Sequence, residues 1–185
     1  MFVFRLLTFF HTDDAYSVAN NCSMRAIGMA ERTLDLMIGR VTDPSRRTFG
    51  QVLARHGTVA ADVAKIRIEI NASRLMVLAA ADKIDKVGAK GAMRDIAMAK
   101  VMVPQMLQRT IDLAIQAHGA AGVSQDFPLA RMAAGARTLR IADGPDEVHM
   151  MQLARFELMR GDDIREKDKA VKGRRTQIYN NGSKL

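Results

Sequence analysis

An aspartate stands just ahead of a helix start in the run Ala142-Asp-Gly-Pro-Asp-Glu-Val-His149. A carboxylate placed there can serve as a general base, though as bare sequence it reads better as an acid that simply faces the positive end of a helix dipole. Asp143 and Glu147, one helical turn apart, both qualify. A second run, Arg46-Arg-Thr-Phe-Gly-Gln51, offers guanidinium forks that suit phosphate oxygens. As bare sequence it reads better as a solvated loop pair. A third, Gln116-Ala-His-Gly-Ala-Ala-Gly122, has glycines that let backbone approach a ligand or close a helix. His11, His56, His118 and His149 show no metal-ligand spacing, and no metal is expected.

These residues need a scaffold, and composition says which kind. The 185-residue chain is 48% hydrophobic and 26% charged, with 13 methionines, no tryptophan and 5% aromatics. Methionine fills irregular gaps between helices, whereas strand-rich cores favour branched and aromatic side chains. No apolar run approaches the roughly 20 residues that cross a bilayer. The single cysteine, Cys22, excludes an internal disulfide and fits a reducing compartment. Half of the net charge of +8 falls after Met159, where eight basic residues face four acidic ones. The rest is spread along helix faces without interleaved aromatics, so nucleic acid is not the expected partner.

Apolar periodicity predicts a helix from about 20 to 40, ended by Thr42-Asp-Pro-Ser45. Val59, Val63, Ile66, Ile70, Val77 and Ile84 recur at helical spacing across 57–87, with Gly88 and Gly91 closing the segment. A third helix over 92–117 carries Ile96, Val103, Leu107, Ile111 and Ile115 on one broad face, and Pro104 should kink it. Residues 119–126 read as a loop, and 127–140 as a shorter helix interrupted by Gly135. A last helix starts at Gly144-Pro-Asp-Glu147, with proline at its first position, and runs to about Arg160. Nothing reads as strand. The expected fold is all-α, an up-and-down four-helix bundle of long antiparallel helices. It occupies 20–161, between an atypical N-terminal segment (1–19) and a flexible basic tail (162–185).

Taken in order, the three runs resemble the C-terminal helical domain of the FAD-dependent acyl-CoA dehydrogenase family. Arg46-Arg-Thr-Phe-Gly is similar to that family's Arg-x-Thr-Phe-Gly element, and Gln116–Gly122 to its Gln-x-x-Gly-Gly-x-Gly loop. Arg140–His149 occupies the place of its Tyr-Glu-Gly-Thr segment, and with Gly28-Met-Ala-Glu-Arg32 the match spans roughly 23–160. The resemblance implies a flavoenzyme of fatty-acid β-oxidation. In it, Arg46 and Thr48 contact FAD, as do Gln116, Gly119, Ala120 and Gly122, often across a subunit boundary. Phe49 packs in the core or lies near the flavin. Asp143 stands at the position of the catalytic glutamate, where a dry pocket makes a carboxylate a better base. Acyl-CoA is the implied substrate, and the implied assembly a homodimer or homotetramer. The segment Ala-Asp-Gly-Pro-Asp-Glu-Val-His suggests a subgroup that leans towards longer or unusual acyl chains.

The sequence also departs from the family pattern. Two extra residues between Gly28 and Arg46 leave Arg47 as a rival to Arg46, and Ala120 replaces a glycine. Ala19 and Ala134-Gly135 fall where arginine and an Arg-Asp pair are expected. No segment corresponds to the β-domain that holds the flavin ring. Besides the dehydrogenase, two readings stay open, an acyl-CoA oxidase and a non-catalytic helical assembly module. Ser183-Lys-Leu185 is a peroxisomal address for a soluble import receptor, with mitochondrion or cytoplasm as alternatives.

Overall fold

The structure, a computed structural model, describes residues 13–182, with side chains described over 22–177. Most of the N-terminal segment's apolar start and the Ser183-Lys-Leu185 address lie outside the described residues. The architecture is the expected all-α, up-and-down bundle. Helix α1 (Asp13–Thr42) leads through a hairpin and a 3₁₀ turn (Leu53–Arg55) into α2 (Gly57–Gly91). Helix α3 (Met93–His118) is followed by the short α4 (Ala120–Val123) and by α5 (Leu129–Leu139). Helices α6 (Asp146–Leu158) and α7 (Gly161–Gly182) complete the order.

The core follows the helical stripes. From α1, Ile27, Ala30, Leu34, Met37 and Val41 are buried at three- and four-residue spacing, so one face of the helix is removed from water. They meet Ile66, Ile70 and Val77 of α2, and Val103, Leu107 and Ile111 of α3. Helix α3 is the axis of the domain, packed against α1, α2, α5 and α6. Between α1 and α2, Glu31 accepts from Arg67 at 2.9 Å and also from Arg74. The Arg67 hydrogen bond holds the Glu31 carboxyl below its ordinary pKa.

Several local expectations give way. Helix α3 runs through Pro104 as one element, and α5 through Gly135. The regular part of α2 does end at Gly88 (φ 74°), one of the two glycines expected to close it. The expected 119–126 loop contains α4. Pro145 is the N-cap of α6 rather than its first residue, with Asp146 and Glu147 in the first turn. The basic tail forms α7, exposed throughout its described side chains.

A strand pair is present where none was read. β1 (Arg47–Thr48) and β2 (Gln51–Val52) pair antiparallel, Arg47 opposite Val52 and Thr48 opposite Gln51. Phe49 and Gly50 form the turn, both at positive φ (50° and 80°), the handedness that suits a two-residue hairpin. Two-residue strands have no periodicity to detect, which is why the pattern did not show them.

Candidate functional site

The segment Arg140–His149 is tied down by several side-chain hydrogen bonds. Lys100, on α3 and only 3% exposed, donates from Nζ to the carbonyls of Leu139 (2.6 Å) and Ala142 (2.7 Å). Buried His149 donates from Nε2 to the Asp143 carbonyl at 3.2 Å. Arg140 bridges Asp146 through Nε (2.6 Å) and Gln108 through Nη1 (3.0 Å). Gln105 donates to the same Asp146 oxygen at 3.1 Å, while Asp146 Oδ1 is buried without a hydrogen-bond partner.

Asp143 therefore sits on a turn held from α3 and from α6, half-buried, with φ at 55°. Aspartate and asparagine are enriched in this left-handed region because their short side chains can bond locally. Glutamate has no such advantage, a physical reason for the shorter acid at this position. Glu147 is exposed on the first turn of α6, whereas Asp146 beside it is buried and paired. Desolvation dominates the two buried bases. It pushes the Lys100 ammonium below its ordinary pKa despite the pull of Asp143, and pushes His149 down towards the neutral ring.

The other two runs meet at one end of the bundle. Arg40, in the last turn of α1, donates to the carbonyls of Ala117 (3.3 Å) and His118 (3.4 Å) at the end of α3. The hairpin after α1 and the Gln116–Gly122 segment thus share that end. Arg46 is exposed and leans on Asp43 (3.4 Å), whose carboxyl the Ser45 hydroxyl and amide hold below its ordinary pKa. Arg47 is exposed and donates to the Pro44 carbonyl. Thr48 is exposed, with its carbonyl 3.2 Å from His56 Nε2. Phe49 does not pack in the core: it is 94% exposed at the hairpin tip, edge-on to His56. Its place in the two-residue turn puts it beyond the strand pair, away from the core.

In the second run, Gln116 and Ala120 are exposed and Gly119 caps α3 at φ 64°, its amide bonded to the Ile115 and Gln116 carbonyls. A side chain on Gly119 would meet nothing within 4 Å, so its backbone is open to an approaching group. Gly122 differs. A Cβ there would stand 2.6 Å from the Ile115 carbonyl, so that glycine is required by packing. His118 is structural as read, buried, bonded to the Ala114 carbonyl and edge-on to Phe127 at 4.6 Å.

The turn bearing Asp143 is not at this end. Lys100, which holds it, precedes Gln116 by sixteen residues of continuous helix, roughly 24 Å along α3. A cleft of about 370 Å³ between α3 and α5, lined by Gln108, Arg109, Asp112, Ile115 and Ala133, does not include Asp143. Its arginine is already engaged, with Glu69 at 3.0 Å. Sequence reasoning passed over Lys100, Arg140 and Asp146. The Lys100 signal was legible: residue 100 falls on the stripe of Ile96, Val103 and Leu107, and a lysine there must be buried or break the stripe. Among the described residues no His, Cys, Asp and Glu side chains group to hold a metal ion, and no helix is long and apolar enough to cross a membrane.

The domain is an antiparallel helical bundle with an acid on a tethered turn and a basic, glycine-flanked surface at one end. Residues 20–158 match the family model for the C-terminal domain of acyl-CoA dehydrogenases. The chain belongs to the acyl-CoA dehydrogenase family, through that domain. It is 54% identical over 137 residues to the probable acyl-CoA dehydrogenase IBR3 of Arabidopsis thaliana, covering 74% of this chain and 16% of the relative. Among solved structures it is similar to butyryl-CoA dehydrogenase from Megasphaera elsdenii, at TM-score 0.71 and 26% identity, covering 78% of this chain and 37% of that one. It is likewise similar to the FAD complex of PigA, at TM-score 0.68 and 25% identity, covering 75% and 35%. The chain thus spans about a third or less of these proteins.

Proposed function

We propose that this chain is the C-terminal domain of an FAD-dependent acyl-CoA dehydrogenase, with Asp143 as the base that takes the proton α to the thioester. The observation that carries this reading is the turn itself. It holds a half-buried carboxylate in a fixed, left-handed backbone, while the neighbouring Asp146 is already paired. When bound, FAD supplies the acceptor for the hydride that leaves the β carbon. The residues present fit it: Arg46 and Arg47 are exposed donors for diphosphate oxygens, Thr48 adds a hydroxyl, and Phe49 offers an unburied ring. Gln116, Gly119 and Ala120 add an open polar edge at the same end. The role of Gly122 is to seat that edge against α3.

The roughly 24 Å between that surface and the Asp143 turn supports a site shared between subunits, with each chain giving its base to one flavin and its basic end to another. Exposed apolar side chains on α2 and α6, such as Ile68 (67%), Leu75 (68%) and Leu158 (78%), support a homodimer or homotetramer. The reaction belongs to fatty-acid β-oxidation, and Ser183-Lys-Leu185 would direct the protein through the import receptor to the peroxisome.

Asp143→Asn keeps the size of the side chain and removes the base. In a polypeptide or complex that supplies the remaining domains, dehydrogenation of acyl-CoA should fall by about 10²–10⁴-fold with FAD content unchanged. A nearly active Asp143→Asn beside an inactive Glu147→Gln would move the base to Glu147.

A further inference from the structure

An apolar residue would fill the Lys100 position in the core stripe without the cost of burying a charge. It lies in α3 between Ile96 and Val103, both buried, and its own residue is 3% exposed. Burying an ammonium in such a stripe is unfavourable unless its hydrogens are used. Two of them are, and both acceptors belong to one short stretch: the last residue of α5 and the residue just before Asp143. From the opposite side His149 Nε2 holds the carbonyl of Asp143 itself. Consecutive carbonyls, Ala142 and Asp143, are thus gripped from α3 and from α6.

The Asp143 backbone needs that grip. A non-glycine residue at φ 55° sits in a sparsely populated region that persists only when its surroundings impose it. The Ile141 and Ala142 amides bond back to the Thr138 carbonyl, and the Asp146 amide to the Arg140 carbonyl. Those bonds shape the turn. Gln108 and Gln105 tie its flanks, Arg140 and Asp146, to α3, and Lys100 ties the residue next to Asp143.

We infer that Lys100 is a positioning residue for the base, clamping the Ala142 carbonyl so that the Asp143 carboxylate is presented at one depth relative to α3. This rests on the reading of Asp143 as the base. Lys100 touches neither substrate nor flavin in this assignment; it acts through the turn, and displacement of a reacting group by about 1 Å can lower a rate by about a hundredfold.

The test uses Lys100→Met, which keeps the length and removes the donors. Hydrogen exchange is read on the 185-residue chain, and turnover in an assembly that supplies the remaining domains. The expected result is a kcat lower by about ten- to a hundredfold with KM within about twofold. Exchange should accelerate at the Ile141, Ala142 and Asp146 amides while the amides around Ile27, Ile70 and Ile111 stay slow. A merely structural lysine would loosen those core amides as well. Unchanged kcat and unchanged exchange in the turn, beside an inactive Asp143→Asn, would overturn the assignment. A fully active Asp143→Asn would instead remove the base reading, and the exchange pattern would still decide whether Lys100 holds the turn. If Lys100→Met does not fold, the unaltered chain decides. Its Ile141, Ala142 and Asp146 amides must exchange within about tenfold of those in α5, and faster exchange refutes the clamp.

Discussion

Arg140 and Asp146 face each other at 2.6 Å across the turn that carries Asp143, guanidinium Nε against carboxylate Oδ2. The acid is 3% exposed and the arginine side chain 31%, so the pair is sealed on one side only. Breaking a buried pair by deleting one partner leaves an uncompensated charge. Arg140→Met should therefore lower stability by roughly 3 kcal/mol, and adding Asp146→Asn should recover part of the loss. Urea unfolding of the single and double variants measures both. An unchanged midpoint in Arg140→Met would show that Gln105 alone satisfies Asp146.

His149 makes stability depend on pH in a definite direction. Burial lowers its folded pKa, whereas the unfolded side chain titrates near 6.5. Below that value the unfolded state binds the extra proton and the native state resists it. The contribution of His149 is complete above about pH 6.5 and is lost as the pH falls below it. Unfolding midpoints at pH 7.5 and 5.0 should therefore converge in His149→Gln relative to the unaltered chain. Parallel losses in both proteins would assign the acid sensitivity elsewhere.

The hairpin should separate stability from flavin binding. Phe49 is 94% exposed, and Arg46 and Arg47 are exposed too, so Phe49→Ala and Arg46→Gln should move the melting temperature little. If this end meets FAD, each should weaken FAD binding about tenfold, since a charged or aromatic contact is worth on the order of 1–2 kcal/mol. Fluorescence titration of the assembled protein reads the affinity. Arg47→Gln belongs in the same series, because its exposure matches that of Arg46.

Gly122→Ala tests the opposite case. The added methyl would meet the Ile115 carbonyl at 2.6 Å and the Ile115 Cα at 2.9 Å, both backbone atoms that cannot rotate aside. A loss of about 1–3 kcal/mol is expected, as for other overpacked positions. Gly119→Ala meets no atoms but must adopt φ 64°, so its penalty comes from backbone strain alone. Equal stability of Gly122→Ala and the unaltered chain would mean that α4 can lift from α3.

Assembly and location have direct readouts. Light scattering at micromolar concentration should show a dimer or tetramer, since stripes such as Ile68 and Leu75 are apolar and uncovered. A stable monomer contradicts this. A fluorescent fusion at the N-terminus should enter peroxisomes, and removal of Ser183-Lys-Leu185 should leave it in the cytosol.

Much of this protein was determined by sequence on its own. The stripe through Ile66, Ile70 and Val77 repeats at the helical period, and burial of one face of such a segment leaves few alternatives to a bundle. The motif residues Asp143, Arg46 and Gln116 could be singled out because the order of their three runs along the chain resembles a family pattern; local chemistry alone favoured a helix-flanking acid and a solvated loop. What local pattern could not convey was which groups meet. Phe49 looks like core material until its place at an exposed hairpin tip is known, and the hairpin rests on two residues per strand. Lys100 and Ala142 are forty-two residues apart, and so are the partners of their hydrogen bond. Only the packing of α3 against the end of α5 decides that the lysine is buried, that its hydrogens go to the turn before Asp143, and that this turn lies a helix-length away from the basic end. Those outcomes depend on close-packed contacts between distant segments, for which no single stretch of sequence carries a period.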